Sequence, residues 1–330
     1  MKIVLGTRGS SLALAQAEIA SNLLSQVAGI EQVERQIIKT TGDRRLDLRL
    51  SDSGKKFARG LFTKELEECL VNGQIDVAVH SLKDLPTELP KGLTIAAVLP
   101  REDPADVLVS RQAISLGEVR AKGVIATSSP RRAQQLQHFR PDITVVDVRG
   151  NVPTRIEKLI NQPGWDGLIL ARAGLERLGL KIRENRIQFD SRTLFASTLE
   201  GMLPAAGQGA IALEVLEKSS AIRNLVGAVN DPATWFCVHA EREFLRLLGG
   251  GCEVPIGVRA SIHRPAQSAG EKIREGESSI DNQSLRREQA LLEAIVFEGD
   301  TVRKGSVVGN FASAETAAQT LFSKIYGEKR

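Results

Sequence analysis

The chain has 330 residues but only three cysteines, Cys69, Cys237 and Cys252. So small and odd a number argues against a disulfide framework. No Cys-x-x-Cys pair occurs, and His80, His138, His239 and His263 do not stand at metal-ligand spacing, so no zinc or other metal is expected. Aromatic residues make up 4% of the chain, leaving few platforms for stacking nucleic-acid bases. The formal net charge of +4 is too small to imply DNA binding. No GxxxxGK[ST] loop is present, which disfavours a P-loop nucleotide site. The opening "MKIVLGTRGS" has no secretory h-region, no apolar run is long enough to span a bilayer, and no repeat of fixed period occurs. Together these absences predict a soluble, cytoplasmic chain that engages neither nucleic acid nor membrane.

What is present suffices for substantial cores. Apolar residues account for 42%, and single cores rarely grow past about 250 residues, so two or three domains are expected. "KIVLG", "VERQIIK", "IDVAVH", "LTIAAVL", "DVLVS", "GVIATS", "ITVVDV" and "DGLILA" read as strands, most with helical patterns between them. That alternation predicts a parallel α/β architecture. Residues 10–28 place Ala13, Ala17, Ala20, Leu24 and Val27 on one helical face, with Ser10 or Ser11 as cap and Gly29 as stop. The last hundred or so residues differ: a helix over about 232–248 capped by Asp231, two strand-like runs "IGVRASI" and "LLEAIVFE", and a closing helix near 313–326 predict an α+β domain. Residues 43–58 are polar and aperiodic, the mark of a functional or disordered loop.

The arginines are placed against local preference. Arg8 lies between the first strand and a helix; Arg131 and Arg132 fall in the first turn of a helix capped by Ser129, with Pro130 at its first position; Arg149 ends a strand and Arg155 sits in the opening turn of the next helix. Cations at helix starts oppose the macrodipole, at a cost of about 0.3–1 kcal/mol each. An anion bound there removes the conflict, because amide donors and guanidiniums then converge on it. All three clusters lie at the carboxyl ends of strands, where open α/β sheets bind ligands. A solvated helix face explains one such cluster; three favour a polyanion site of carboxylates or phosphates.

Two residues stay open on local grounds. Asp84, beside Lys83 in "VAVHSLKDLP", is either a turn residue or a carboxylate that steadies a cationic or N–H-bearing part of an otherwise anionic ligand. Cys252, in "LLGGGCEVPIGV", is either a small thiol filling a gap or a reactive group presented on a glycine turn. Cys69 and Cys237 lie within helical patterns and read as buried hydrophobes.

In chain order, "GTRGSSLALAQA", "VHSLKDLP", "TSSPRR", "VRGNVPTR", "LPAAGQGAIALE" and "GGGCEVPIG" resemble the porphobilinogen deaminase (hydroxymethylbilane synthase) family over nearly the whole chain. The resemblance implies two α/β lobes like those of periplasmic binding proteins plus a small C-terminal α+β domain. It divides the chain into domain 1 (1–99 and 203–219), domain 2 (100–202) and domain 3 (220–330). It implies a transferase of heme biosynthesis, a monomer, that condenses four porphobilinogen molecules head to tail, releases ammonia, and hydrolyses the product to hydroxymethylbilane. A dipyrromethane cofactor is implied in thioether linkage to Cys252. Asp84 corresponds to the catalytic aspartate; Lys83, Ser129, Arg131, Arg132, Arg149 and Arg155 correspond to cofactor-binding residues. Arg8, Ser10, Lys55, Arg59, Phe62 and Arg177, with Arg149 and Arg155, correspond to substrate-binding positions. Three features depart from the family's pattern: "FARGLF" stands where Gly-Gly-Lys-Gly-Leu-Phe is usual, Pro130 where leucine is common, and the segment 264–285 is long. A two-lobed anion-binding protein and an acyl or phosphoryl transferase with Cys252 as nucleophile are the rival readings. The first leaves Cys252 unexplained, and the second lacks a motif-placed histidine base.

Overall fold

A computed structural model describes residues 1–40, 63–249, 255–263 and 289–327. The expectations placed on Lys55, Arg59, Phe62 and Cys252, and on segments 43–58 and 264–285, fall outside the described residues.

Among the described residues there are three sheets. The first holds strands β1 (Lys2–Arg8), β2 (Gln32–Ile38), β3 (Val77–Ser81), β4 (Leu93–Val98) and β11 (Ile211–Leu216) in the order β2-β1-β3-β11-β4. The second holds β5 (Asp106–Ser110), β6 (Val124–Ala126), β7 (Thr144–Val146), β8 (Gly167–Ala171), β9 (Arg186–Phe189) and β10 (Arg192–Thr198) in the order β7-β6-β8-β5-β10-β9. The third is an antiparallel meander of β12 (Ile256–His263), β13 (Gln289–Glu298) and β14 (Thr301–Gly309). Helices α1 (Ser11–Leu24), α2 (Lys64–Val71) and α6 (Ser220–Gly227) accompany the first sheet, and α3 (Pro130–Phe139), α4 (Val152–Asn161) and α5 (Arg172–Arg177) the second. Helices α7 (Pro232–Leu247) and α8 (Ala314–Tyr326) pack on the meander. The chain is thus two α/β lobes and a small α+β unit.

The strand–helix rhythm predicts parallel sheets, and each large sheet proves mixed. Strand β1 runs parallel to β2 and β3, whereas β11 is antiparallel to both β3 and β4. Strand β6 runs parallel to β7 and β8, whereas β5 is antiparallel to β8 and β10. A parallel connection needs a crossover of roughly a dozen residues or more. Only residues 99–105 separate β4 from β5, and they carry the chain from one sheet into the other. The β9–β10 hairpin and β14 were not among the expected strands.

Local chemistry accounts for the helix starts. The Ser10 hydroxyl accepts from the Ala13 amide at 3.3 Å, and α1 buries Ala13, Gln16, Ala17, Ala20 and Leu24 at helical spacing. Asp231 accepts from the Thr234 amide at 2.7 Å, with Pro232 in the first position of α7. Ile3, Leu5, Val77, Val79, Leu213 and Val215 fill the first core against α1. Val107, Val109, Leu168, Leu170, Ile156 and Leu159 fill one face of the second.

One buried carboxylate joins all three units. Glu241, on α7, has no exposed surface. It takes two hydrogen bonds from Arg101, at 2.7 and 3.0 Å, in the link between the lobes. It also accepts from the Gly207 amide at 2.7 Å and the Ala260 amide of β12 at 2.8 Å. Two residues on, Gly209 has φ of +86°, and a Cβ there would collide with the Glu102 carbonyl oxygen. Glycine therefore lets the returning segment pass against the inter-lobe link. Glu241→Gln leaves Arg101 buried without its counter-charge, so unfolding free energy in urea is expected to fall by about 3–5 kcal/mol. A loss below about 1 kcal/mol would show that the pair is dispensable.

Candidate active site

Both lobes and the returning segment turn polar side chains toward a common cleft. A cavity of about 90 Å³ is lined by Gln16 and Ser81 of the first lobe, Arg132, Arg155 and Arg177 of the second, Lys83 beyond β3, and residues 207–210. A second cavity of about 70 Å³ is lined by Arg8, Ser10, His80, Ser81 and Asp84, all from the first lobe. Gln16 and Ser81 line both cavities and hydrogen-bond one another at 2.8 Å. Roomier grooves, of about 570 and 500 Å³, lie elsewhere, the first beside α1 and α6 and the second around Arg120 and Trp165. Neither draws together cations from more than one lobe.

Asp84 ends the short 3-10 turn Leu82–Asp84 and is exposed. Lys83, its neighbour, is half-buried; burial lowers its ammonium pKa to about 8, with Arg132 adding to the effect and Asp84 opposing it. Arg155 donates from Nε to the Gly150 carbonyl at 2.7 Å. Burial, then the neighbouring Arg132 and Arg149, bring its pKa down to about 10. Positive charge is thus crowded here, as it is where an anion is meant to bind.

The turn bearing Arg131 and Arg132 has its expected caps and an unexpected counter-ion. The Ser129 hydroxyl accepts from the Arg132 amide at 3.4 Å, and Pro130 opens the helix. The anion that this turn calls for is internal: Asp106, fully buried at the start of β5. Its Oδ2 accepts from Arg131 Nη1 at 2.7 Å, and its Oδ1 from Arg132 Nε and Nη2 at 3.0 and 2.7 Å. Gln208 adds a bond to Oδ1 at 2.8 Å. Burial alone would raise the Asp106 carboxyl, but the two guanidiniums and their hydrogen bonds outweigh it and hold it far below the ordinary carboxylate range. Arg131 spends a further donor on the Leu203 carbonyl at 2.6 Å and does not line the cleft cavity, whereas Arg132 does.

The other expected positions fall out as follows. Arg8 and Ser10 reach the cavity beside Asp84. Arg177 donates from Nη2 to the Gly209 carbonyl at 2.6 Å, while its Nε is buried with no hydrogen-bond partner among the described residues. Arg149 lines neither cavity; its Nε donates to Asp147 at 2.9 Å in a partly exposed pair of the kind that contributes little. Asp106, Gln16, Ser81 and Gln208 escaped the sequence reading. The only signal for Asp106 was two adjacent arginines in an N-terminal turn lacking an acidic residue.

Comparison with known proteins follows the geometry. Residues 3–224 match the family model described as porphobilinogen deaminase, dipyromethane cofactor binding domain, and residues 235–274 match porphobilinogen deaminase, C-terminal domain. A porphobilinogen deaminase of Syntrophomonas wolfei is 49% identical over 258 residues, covering 78% of this chain and 80% of the relative. One from Rubrobacter xylanophilus is 46% identical over 259 residues, covering 78% and 80%. A solved substrate-binding domain of an amino acid ABC transporter from Streptococcus pneumoniae aligns over 76% of this chain and 95% of that one. Its TM-score is 0.42 at 9% identity, too loose a likeness to carry weight.

Asp106→Asn removes the one carboxylate that, among the described residues, pairs with both guanidiniums, and an expected loss of about 3–5 kcal/mol in unfolding free energy follows. The sign of its pH dependence is also fixed. Because the folded-state pKa lies below the unfolded one, the contribution is full above the unfolded value near 4 and fades as pH falls toward the folded one. Urea denaturation across pH 3–7 is the measurement, and a parent-like acid profile in Asp106→Asn contradicts it.

Proposed function

The chain belongs to the porphobilinogen deaminase family, and from that premise we propose which of its own residues carry the reaction. It is a transferase of tetrapyrrole synthesis with a dipyrromethane cofactor. The finer reading is the condensation of four porphobilinogen molecules into hydroxymethylbilane by a cytoplasmic monomer that binds no nucleic acid. Among the described residues no helix is long and apolar enough to cross a membrane. The domain division proposed is 1–99 with 203–219, then 100–202, then 220–330.

The observation that carries the assignment of residues is the convergence of Lys83, Arg132, Arg155 and Arg177 on one inter-lobe cavity. Pyrrole acetate and propionate groups are carboxylates, and a crowded set of cations suits them. Two of the buried atoms that lack a partner among the described residues belong to this cavity and support the fit: Arg177 Nε is a donor without an acceptor, and Gln208 Oε1 an acceptor without a donor. The first suits a carboxylate and the second a pyrrole N–H. Arg132, Arg155, Lys83, Ser129, Arg131 and Arg149 would hold or support the dipyrromethane, with Cys252 as its covalent anchor. When bound, the group supplies the nucleophilic pyrrole carbon to which the first substrate is joined. Arg8, Ser10 and Arg177 would receive substrate carboxylates; Lys55, Arg59 and Phe62 are proposed beside them from the resemblance alone.

Asp84 has a separate task. When the protonated amino group leaves the substrate's aminomethyl side chain as ammonia, the C–N electron pair goes with nitrogen, the methylene carbon stays, and the ring is left an azafulvenium cation. An exposed carboxylate at a cleft of cations disfavours ground-state carboxylates and favours that cation. Only interactions stronger in the transition state than in the ground state accelerate the step. The Asp84 carboxylate would then accept from the ring N–H while the new carbon–carbon bond forms and the coupled carbon loses its proton to solvent water.

Two experiments test this. Intact mass of freshly purified protein is expected to exceed the sequence mass by one dipyrromethane, and Cys252→Ser is expected to abolish both the added mass and the activity; full activity in Cys252→Ser would remove the anchor. Asp84→Asn is expected to fold, with single-turnover ammonia release at saturating porphobilinogen reduced about a hundredfold or more. Asp84→Glu keeps the charge and is expected to retain more activity than Asn. If Asn equals or exceeds Glu, Asp84 only holds a turn.

A further inference from the structure

Asp84 is supported from the far side of the molecule. The three residues after it, Leu85, Pro86 and Thr87, belong to no helix or strand. Pro86 has no N–H, and Leu85 before it is extended, with φ −79° and ψ 137°. The carbonyls of this segment all face one guanidinium. Arg242 of α7 donates from Nη1 to the Leu85 carbonyl at 3.2 Å. Its Nη2 donates to Pro86 at 2.6 Å and to Thr87 at 3.3 Å. Arg242 is 9% exposed; its bond to Leu85 is buried and those to Pro86 and Thr87 are partly buried. One turn earlier on the same face of α7, Val238 packs in the cluster that holds Leu82 and Leu85. The turn bearing Asp84 is thus gripped at both ends by one helix: by apolar packing before the carboxylate and by a guanidinium after it.

A merely stabilising contact could have used an apolar side chain on this interface. A planar fork that collects three consecutive carbonyls fixes a backbone path instead. Next to Arg242, Glu241 fastens α7 to Arg101, Gly207 and Ala260. In the sequence α7 ends at Leu247, five residues before Cys252. The helix that leads to the anchoring cysteine is therefore the helix that aims the carboxylate. We propose that Arg242 is a positioning residue for the condensation, setting the place of the Asp84 carboxylate relative to the reacting ring. This inference rests on the reading of Asp84 given above.

The test uses the loaded holoenzyme and four variants: Arg242→Met, Arg242→Lys, Arg246→Met and Asp84→Asn, with Arg242→Met also combined with Asp84→Asn. Misplacement of a reacting group by about 1 Å can cost about a hundredfold. Arg242→Met is expected to lower single-turnover ammonia release at least about tenfold, with KM for porphobilinogen within about twofold and the cofactor mass retained. Arg242→Lys is expected to fall between Met and the parent. Arg246, which pairs with Glu243 on the exposed face of α7, serves as the charge control, and Arg246→Met is expected to behave as the parent. In the Asp84→Asn background, Arg242→Met is expected to cost little more, because the group it aims is already disabled. Parent-like turnover in folded, loaded Arg242→Met overturns the inference. So does an equal fractional loss in both backgrounds, the result of a purely structural contact. Should Arg242→Met fail to fold, parent-like turnover in Arg242→Lys overturns it equally. Full activity in Asp84→Asn removes the reading of Asp84 and this inference with it; an inactive Asp84→Asn beside a parent-like Arg242→Met removes this inference alone.

Discussion

The cleft depends on one buried carboxylate shared between two guanidiniums. Asp106 has no contact with solvent, yet it must stay ionised to hold Arg131 and Arg132 together. Removing a charge from water is costly, and only excellent geometry with every lone pair satisfied offsets that cost. Four donors reach its two oxygens, which meets the condition. The ratio of charges also has a consequence. Two cations share one anion, so the cluster keeps a net positive charge, and it is Arg132 that faces the cavity. Asp106 makes it possible to bury two arginines in a helix's first turn without cancelling their attraction for a ligand.

The same carboxylate begins a polar chain through the whole molecule. Gln208 bonds Asp106 through its side chain and offers its own carbonyl to Arg101 Nε at 2.9 Å. Arg101 forks onto Glu241, and Glu241 reaches the amides of Gly207 and Ala260. Second lobe, returning segment, inter-lobe link, third unit and meander are tied by one set of buried bonds. Such networks contribute most when no member is left unsatisfied. Among the described residues six buried side-chain atoms have no hydrogen-bond partner, and two of them, Gln208 Oε1 and Arg177 Nε, belong to residues that line the cleft. Hydrogen-bonding capacity at these two positions is open to a ligand.

Sequence reasoning reached what is local. Ser10, Ser129 and Asp231 cap their helices as their residue types suggest, and Pro130 and Pro232 occupy first positions. These are contests decided within four residues. Mixed strand direction was not legible, because β11 enters the first sheet from more than a hundred residues beyond β3 and β4. The β9–β10 hairpin was missed because its turn uses Asp190 at φ +51° in place of the usual glycine signal. Asp106 reads locally as a polar residue before a strand. Its partners lie 25, 26 and 102 residues away, and nothing in "DPADVLVS" announces them. The arginines did announce that an anion was needed, but a sequence cannot say whether that anion is a ligand or part of the chain.

The structure shows the internal anion, Asp106, and the function proposed for the cleft adds a ligand; Asp84 is placed apart from both. A carboxylate inside the cluster, like Asp106, is consumed in holding arginines and has its affinity for protons greatly reduced. A carboxylate meant to meet a transient cation must avoid that fate. Asp84 stands on the first lobe, exposed at the end of a short turn, in a cavity distinct from the one lined by Arg132 and Arg155. Lys83 beside it is lowered to a pKa of about 8 by burial. Separation leaves Asp84 uncommitted, but an exposed residue on a three-residue turn has little to fix its direction. The Arg242 fork supplies direction from behind without placing a cation in front of the carboxylate. The two carboxylates thus stand in opposite surroundings: Asp106 is enclosed by guanidiniums, and Asp84 is exposed on a turn whose following carbonyls are held by Arg242.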